Sequence, residues 1–230
     1  MKAVILAGGK GTRLRPYTTN FPKPLMPIGD QPILEIVIEK LKENDIKDII
    51  ITTGHLEELI RAFFNDGSRY GVRIRYSMES EPLGTAGPLY LIGDQLDDTF
   101  LLMNGDILSD INLKDLISFH KKRGGIATVA IIKRTVNIDF GVVNISKDRY
   151  FQKWEEKPEF NFYVSMGINV LEPDALNFIP QREFLNLPDL INTLHINGHK
   201  ISTYVHEGFW LDIGRPDDYE QASQLYERGN

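Results

Sequence analysis

The chain has 230 residues, of which 42% are hydrophobic and 25% charged, values that are ordinary for a globular protein. It has no cysteine, which excludes disulfides, thiolate metal ligands and a cysteine nucleophile. The net charge of −6 argues against nucleic acid as the main partner. No apolar run approaches the ~18 residues of a membrane span, and the N-terminal apolar run is too short for a signal peptide. We therefore expect a cytoplasmic protein without membrane or nucleic-acid partners.

The first predicted strand is the apolar run Ala3–Ala7, and a glycine-rich loop follows it. Gly8, Gly9 and Gly11 tolerate unusual backbone angles and leave room for a ligand near the N–H groups. The first 29 residues contain no acidic side chain and several basic ones: Lys2, Lys10, Arg13, Arg15 and Lys23. In a chain that is acidic overall, this concentration of positive charge favours a small polyanionic ligand.

Two common phosphate-binding patterns do not fit this loop. A dinucleotide fingerprint lacks its third glycine, because Leu14 occupies that position, and the spacing of Gly8, Gly9 and Lys10 does not match a P-loop. A structural glycine turn with surface charges is the competing interpretation.

The first half of the chain alternates strands with helices. A helix is predicted from Gln31, with Asp30 as its N-cap and Pro32 in its first turn, to about Asn44, and another follows Gly54 through Phe64. Strands are predicted at 48–53, 72–76 and 99–104. Such alternation predicts a parallel sheet with helices on its faces, and ligands bind at the carboxyl ends of its strands. The loop from Gly8 to Arg13 leaves the first strand at that end.

Carboxylates follow two of the later strands. Glu79 and Glu81 come after the third strand, and the Gly84–Gly87 segment beyond them is predicted to open a helix with free backbone N–H groups. Asp106 ends the fourth strand, where a carboxylate can bind Mg²⁺ together with substrate phosphates.

The second half is richer in strands that do not alternate with helices. It predicts a mixed, partly antiparallel extension. The strands are expected at 126–133, 140–145, 150–154, 163–171 and 201–205, and short helices at 173–179 and 187–197.

The N-terminal stretch Gly9–Pro16, followed by Phe21–Leu25, resembles the signature of the sugar-1-phosphate nucleotidyltransferases. The segment from Pro82 to Gly87 is most similar to their mannose-1-phosphate guanylyltransferase-like branch. Further matching segments follow in the same order along the chain: 104–106, 140–143, 155–158, 166–168 and 210–214. The resemblance implies an α/β, Rossmann-like fold with a mixed, mainly parallel sheet flanked by helices and a small β-rich extension on the sugar side. It also implies one nucleotidyltransferase domain over 1–230, with a nucleotide-binding half (1–125) and a sugar-binding half (126–230).

By the same resemblance, the protein joins a sugar 1-phosphate to a nucleoside triphosphate and releases pyrophosphate, with Mg²⁺ as cofactor. The implied catalytic residues are Arg13, Lys23 and Asp106, and the metal ligands are Asp106 and Asp212. The implied nucleotide-binding residues are Leu6, Ala7, Gly8, Gly9, Gly11, Thr12, Arg13, Glu79, Pro82, Gly84 and Thr85. The implied sugar-phosphate-binding residues are Gly141, Glu156, Lys157 and Gly167.

Several points stay open at this stage. Glu79 or Glu81 can accept both N–H groups of guanine, which favours GTP, but a carboxylate can also accept the N3–H of uracil or thymine. A uridylyl- or thymidylyltransferase and a regulatory subunit that binds nucleotide sugars without catalysis are the alternatives. A homo-oligomer is possible. Many family members carry a C-terminal β-helix of hexapeptide repeats, and we expect none here.

Overall fold

The structure is a computed structural model that describes residues 1–54 and 56–229. His55, next to the start of the second predicted helix, and Asn230 lie outside the described residues. The α-helices are α1 (Ile33–Glu43), α2 (Glu57–Phe64), α3 (Leu113–Arg123), α4 (Leu187–Ile196) and α5 (Pro216–Gly229). The strands are β1 (Lys2–Leu6), β2 (Pro27–Ile28), β3 (Gln31–Pro32), β4 (Asp48–Thr53), β5 (Arg73–Met78), β6 (Phe100–Asn104), β7 (Ile107–Ser109), β8 (Ala127–Asn137), β9 (Val142–Ile145), β10 (Phe151–Glu155), β11 (Glu159–Leu171), β12 (Ile201–His206) and β13 (Trp210–Asp212).

One sheet of seven strands forms the centre of the molecule, in the order β12-β8-β11-β6-β1-β4-β5. The strands β6, β1, β4 and β5 run parallel, β11 is antiparallel to both of its neighbours, and β12 is parallel to β8. This confirms the prediction of a Rossmann-like, mixed and mainly parallel sheet. Three two-stranded sheets accompany it: β9 with β10, β7 with β13, and β2 with β3.

The central strands are apolar on both faces, because each face is covered by helices. On one face α1 packs against the sheet through a core that contains Ile5, Leu34, Ile38, Ile51 and Met103. The other face is covered by α4 and by a 3₁₀ helix, Gly87–Gln95, with a core that contains Val4, Ile50, Leu89, Leu102 and Leu190. This double coverage explains why β1 and β4 are near-continuous apolar runs in the sequence.

Several features differ from the predicted elements. Gln31 and Pro32, which are predicted in the first turn of the first helix, form β3, and α1 begins at Ile33. The helix after Gly84–Gly87 and the helix Pro173–Phe178 are 3₁₀ rather than α-helical. The strands β8 and β11 are longer than expected and continue together beyond the central sheet as a two-stranded ribbon. The short strand β7 is not predicted from the sequence, and its antiparallel pairing with β13 places Asp212 opposite Ile107, next to Asp106.

None of the helices in the described part of the chain is long and apolar enough to cross a bilayer.

A buried polar network joins α3 to the sheet at the end of β6 opposite the glycine loop. His120 is 1% exposed. Its Nδ1 lies 2.8 Å from Thr128 Oγ1 and its Nε2 lies 2.9 Å from Glu172 Oε1. The Thr99 hydroxyl donates to the same carboxylate at 2.9 Å. Both ring nitrogens of this buried histidine are therefore paired, as burial requires.

Replacing Thr128 by valine keeps the shape of the side chain but leaves His120 Nδ1 without its partner. We expect Thr128→Val to lower the free energy of unfolding by ~1–3 kcal/mol, the cost of an unsatisfied buried polar group. Urea denaturation checks this. The control is Thr203→Val on the neighbouring strand β12, where the side chain is exposed and the change should stay within ~0.5 kcal/mol. Equal effects of the two variants would contradict the role of the network.

Candidate active site

A cavity of about 410 Å³ opens at the carboxyl ends of β1, β4, β5 and β6. We call it the first cavity. Every predicted nucleotide-binding residue lines it, and Lys23 and Asp106 line it as well. The lining residues that the sequence did not single out are Pro24, Thr52, Asn104, Gly105, Phe184, Asn186 and Gly214.

The glycine-rich loop enters this cavity because its far end is anchored in a small core. Gly11 has φ +61°, and its carbonyl accepts from the Thr18 hydroxyl at 2.7 Å and from Leu14 N at 2.9 Å. Leu14 is buried with Leu211 and Ile213, the two residues that flank Asp212. Arg13 therefore faces the cavity, whereas the next residue, Leu14, points into the protein.

The guanidinium of Arg13 lies against the backbone of Gly214. A Cβ added at Gly214 would sit 3.2 Å from both terminal nitrogens of Arg13. Any side chain at this position would press on the guanidinium. Glycine at position 214 thus leaves the space that Arg13 occupies beside the strand carrying Asp212.

Glu79 follows β5 and lies half-buried in the first cavity. Its Oε2 accepts from Leu83 N at 2.9 Å. Its Oε1 lies against Gly8, where an added Cβ would be 2.5 Å away. Burial raises the pKa of the Glu79 carboxyl. Glu81 is exposed and is not among the described residues that line this cavity. Of the two candidate carboxylates, Glu79 is the one in position to meet a ligand.

The prediction of free backbone N–H groups at Gly84–Gly87 is wrong for two of them. Ala86 N and Gly87 N both donate to Leu185 O, at 2.9 and 3.1 Å. The Thr85 hydroxyl accepts from Leu187 N at 2.7 Å. Gly84, with φ +83°, has no room for a side chain, since a Cβ would lie 2.5 Å from Leu185 O. This segment binds the loop before α4 and so shapes the wall of the cavity.

Two aspartates meet beside Lys23. Asp106 follows β6, Asp212 ends β13, and Ile213 N donates to Asp106 O at 3.1 Å. The ammonium of Lys23 donates to Asp106 Oδ2. Burial, and then the negative charge of Asp106, raise the pKa of the Asp212 carboxyl, and the charges of Lys23 and Arg13 offset this in part.

These two aspartates fit a divalent cation. The Oδ1 atoms of Asp106 and Asp212 are both buried and have no hydrogen-bond partner among the described residues. Mg²⁺ prefers such oxygen ligands, and it is commonly held by one or two carboxylates together with substrate phosphates. Within residues 1–54 and 56–229, no group of three or more candidate metal-binding side chains is present. The protein thus offers part of a coordination sphere that phosphate and water would complete.

A second cavity of about 700 Å³ lies beside the first and shares Thr85, Asn104 and Asn186 with it. Gly167 and Asp212 line this second cavity. Gly167 has φ +70° in an irregular part of β11, and a Cβ there would lie 2.7 Å from Asn104 Nδ2. The two cavities therefore form one cleft, with Asp106 lining the first part and Asp212 the second.

The wall of the second cavity combines apolar side chains, including the indole of Trp210, with several amide side chains. Asn169 is 2% exposed, and its Oδ1 lacks a hydrogen-bond partner in the described part of the chain. Trp210 donates through Nε1 to Met166 O at 2.9 Å, and the guanidinium of Arg134 lies 5.2 Å from its ring centroid. Amide groups and a fixed indole suit a neutral ligand rich in hydroxyl groups.

Three predicted site residues stand apart from this cleft. Gly141, Glu156 and Lys157 are not among the described residues that line either cavity. Glu156 is exposed and accepts from Trp154 Nε1 at 3.2 Å, and Gly141 lies against the same indole. The sugar-phosphate roles of these three residues therefore stay predictions, whereas Gly167 lies where a ligand in the second cavity would touch it.

Two of the site residues that sequence reasoning missed, Phe184 and Asn186, lie far along the chain from the glycine-rich loop. Phe184 and Asn186 belong to the loop between the 3₁₀ helix Pro173–Phe178 and α4, which carries no glycine or charge pattern that would mark it. Asn104 did have a signal, because it directly precedes Gly105 and Asp106 at the end of β6.

Comparison with known proteins gives a family match over almost the whole chain. The family model described as "Nucleotidyl transferase" matches residues 2–229. The UTP–glucose-1-phosphate uridylyltransferase of Synechocystis is 36% identical over 96% of this chain. The mannose-1-phosphate guanyltransferase of Aspergillus oryzae is 35% identical over 98% of it. The chain spans 62% and 64%, respectively, of the length of these two relatives.

Solved structures give the same result at the level of the fold. A protein from Bacillus anthracis, assigned as a glucose-1-phosphate thymidylyltransferase and solved with a sucrose, has a TM-score of 0.81. It is 29% identical, and the match covers 100% of this chain and 96% of that one. HddC from Yersinia pseudotuberculosis, solved with GMP-PN, shares the fold at a TM-score of 0.76 and 22% identity, over 98% of this chain and 99% of that one. With a family model that spans residues 2–229 and a cleft that gathers the basic loop and the two aspartates, the chain belongs to the nucleotidyl transferase family.

Proposed function

We propose that this protein transfers a nucleotidyl group from a nucleoside triphosphate to a sugar 1-phosphate and releases pyrophosphate. The observation that carries the proposal is the convergence of Arg13, Lys23, Asp106 and Asp212 where the two cavities meet. The first cavity offers a glycine-rich loop and positive charge, which suit a triphosphate. The second offers amides and an indole, which suit a sugar.

In this reaction, an oxygen of the sugar phosphate forms a bond to the α-phosphorus, and the bond from the α-phosphorus to the oxygen of pyrophosphate breaks. The attacking oxygen is already ionised at neutral pH, so no general base is required. The work of the protein is to place the two anions in line and to neutralise charge.

The side chains divide this work by position. Arg13 lies on the glycine-rich loop, and its planar guanidinium can bind two oxygens of the departing pyrophosphate. Lys23 lies beside Asp106, so its ammonium can move between that carboxylate and the reacting phosphates. Asp106 and Asp212 would hold Mg²⁺, which when bound supplies positive charge to the phosphate oxygens.

The position of Glu79 favours GTP as the nucleotide. Its Oε2 accepts one hydrogen bond from Leu83 N and keeps a second lone pair, so both oxygens of the carboxylate can still accept from a base in the first cavity beside Gly8. Guanine presents two adjacent N–H donors to such an acceptor, whereas uracil and thymine present only one. The names of the relatives include uridylyl-, guanylyl- and thymidylyltransferases, so UTP and dTTP are the alternatives to be measured against GTP.

The proposal is tested by measuring pyrophosphate release with Mg²⁺, using GTP, UTP, dTTP, CTP and ATP against several sugar 1-phosphates. Release that requires one triphosphate together with one sugar phosphate is expected. Nucleotide binding without release for every pair would contradict catalysis and favour a regulatory protein that binds nucleotide sugars.

Arg13 and Arg15 form a matched pair for a first mutational test, because both are exposed on the same loop but only Arg13 lines the cavity. We expect Arg13→Gln to lower kcat by ~10²–10³-fold, the usual cost of losing one donor that stabilises developing charge. Arg15→Gln should keep kcat within about a factor of three. Steady-state kinetics give kcat for both variants relative to the wild type, and equal losses of kcat would refute the role given to Arg13.

Asp212 allows a test of the metal site through stability. Its pKa in the folded protein lies above the unfolded value of 3.8, so its charge destabilises the fold. The loss of stability caused by this charge is absent below the unfolded-state pKa. It grows as the pH rises towards the folded-state pKa and is complete above it. Without divalent cations, we expect Asp212→Asn to raise Tm at neutral pH, with a difference that disappears towards about pH 4.

Added Mg²⁺ should raise the Tm of the wild-type protein and have little effect on Asp212→Asn. The control is Asp66→Asn, because hydrogen bonds from Ser68 lower the pKa of the exposed Asp66 carboxyl, and its loss should reduce Tm slightly. A Tm for Asp212→Asn below that of the wild type at neutral pH would count against a destabilising buried charge.

Glu79 and Glu81 form a second matched pair, for nucleotide selectivity. Glutamine replaces the charged carboxylate by one neutral oxygen and one N–H₂ group, so it cannot accept two adjacent N–H donors. We expect Glu79→Gln to lower kcat/KM for GTP by ~10–100-fold and to reduce the preference for GTP over UTP. Glu81→Gln should leave both values unchanged. If the wild-type protein uses UTP or dTTP better than GTP, the choice of guanine is wrong while the transfer reaction still stands.

A further inference from the structure

The hairpin of β9 and β10 has one apolar face that the described part of the chain leaves largely exposed. In its register Val143 lies opposite Trp154, and Ile145 lies opposite Phe151. The four side chains are 42%, 60%, 58% and 65% exposed, respectively. Because alternate residues of a strand point to opposite faces, Val143 and Ile145 share one face of β9.

An irregularity in β10 brings both aromatic residues to that same face. Phe151 and Trp154 are three positions apart, which in a regular strand would place them on opposite faces. The register shifts between Phe151 and Lys153, and this shift keeps Phe151 opposite Ile145 while Trp154 stays opposite Val143.

The other face of the hairpin carries Val142, opposite Glu155, and is otherwise polar and internally paired. Lys153 lies opposite Asn144, and Lys153 forms an ion pair with Glu155 at 2.9 Å. Asn144 also donates to Glu155 at 3.4 Å. The hairpin thus has one apolar and one mostly polar face, as strand pairs do when the apolar face is buried. An isolated pair of strands with its apolar face in water is marginally stable.

We propose that a second copy of this chain covers the apolar face, with the two hairpins stacked antiparallel about a two-fold axis. In such an interface the same patch of each copy contacts its equivalent. The turn of one hairpin then lies over the open end of the other.

The charges at the two ends of the hairpin favour this occupant. The turn carries Lys147, Asp148 and Arg149, a net charge of +1. Glu155 is already paired with Lys153, and the chain just outside the open end carries Asp139, Glu156, Lys157 and Glu159, a net charge of −2. In antiparallel stacking, the positive turn of each copy lies over the negative open end of the other copy, which gives two favourable charge contacts. An anionic membrane or a uniformly charged peptide would match only one end.

The exposed area reaches that of a small dimer interface when the residues flanking the face are included. Phe140 and Tyr150 lie just outside β9 and β10 and are 78% and 75% exposed. At ~150–250 Å² for a whole large side chain, the exposed fractions of these two and the four face residues amount to about 600 Å² on each copy. The resulting total of about 1,200 Å² falls at the lower end of the range for specific protein interfaces, ~1,200–2,000 Å².

Sedimentation velocity of the full chain over the micromolar range tests the proposal. We expect a reversible dimer, and we expect Phe151→Asp to weaken it by on the order of 10–30-fold, as loss of a central aromatic contact does. The control is Ile196→Asp at the end of α4, where the side chain is 83% exposed and distant in sequence from the hairpin. A monomeric wild-type protein, or a dimer that Phe151→Asp leaves unchanged, would overturn the proposal.

A second test does not depend on the behaviour of the Phe151 variant. The chain has no cysteine, so a single introduced cysteine reports on one position. Val143→Cys should form a disulfide-linked dimer under mild oxidation, because position 143 lies on the apolar face near the proposed axis. Asn144→Cys, on the opposite face of the same strand, should not. Equal cross-linking of the two variants would refute the stacked geometry. Neither test measures nucleotidyl transfer, so their failure would leave the proposed function untouched.

Discussion

The pairing of β7 with β13 is the contact on which the candidate site depends. The two strands have only three residues each, yet their register sets Asp212 opposite Ile107 and therefore beside Asp106. Burial, and then the negative charge of the neighbouring Asp106, raise the pKa of the Asp212 carboxyl. Lys23 on one side and Arg13 on the other supply the opposite charge that makes this arrangement tolerable in the folded chain.

The same contact explains why the basic loop lies where it does. Leu14 is buried against Leu211 and Ile213, so the strand that carries Asp212 also anchors the loop that carries Arg13. Gly214 then leaves space for the guanidinium. Positive and negative groups from the two ends of the sequence are thus fixed by one small apolar cluster. A change in that cluster would move Arg13 and Asp212 together, and a catalytic defect caused by it would not identify either residue alone.

Much of this arrangement can be read from the sequence, and the exceptions have physical causes. The strands β1 and β4 are predictable because both faces are covered, which leaves a continuous apolar run, and the glycine-rich loop is marked by its lack of acidic residues. The strand β7 is invisible, because three residues show no periodicity. The Gly84–Gly87 segment misleads for another reason. Its glycines suggest backbone groups open to a ligand, but in the fold they allow close approach of Leu185, which takes two of those N–H groups.

The β-rich extension raises a different problem, because residues predicted to bind the sugar phosphate lie outside the lining of both cavities. Glu156 and Lys157, implied to bind the sugar phosphate, follow directly after the exposed strand β10, and Glu156 is held by Trp154 rather than by the cleft. The apolar face of the hairpin includes the same Trp154. If a second copy covers that face, it also restrains the indole that positions Glu156. Self-association and the placement of these two residues would then be linked through one side chain, without any contact between the second copy and the cleft itself.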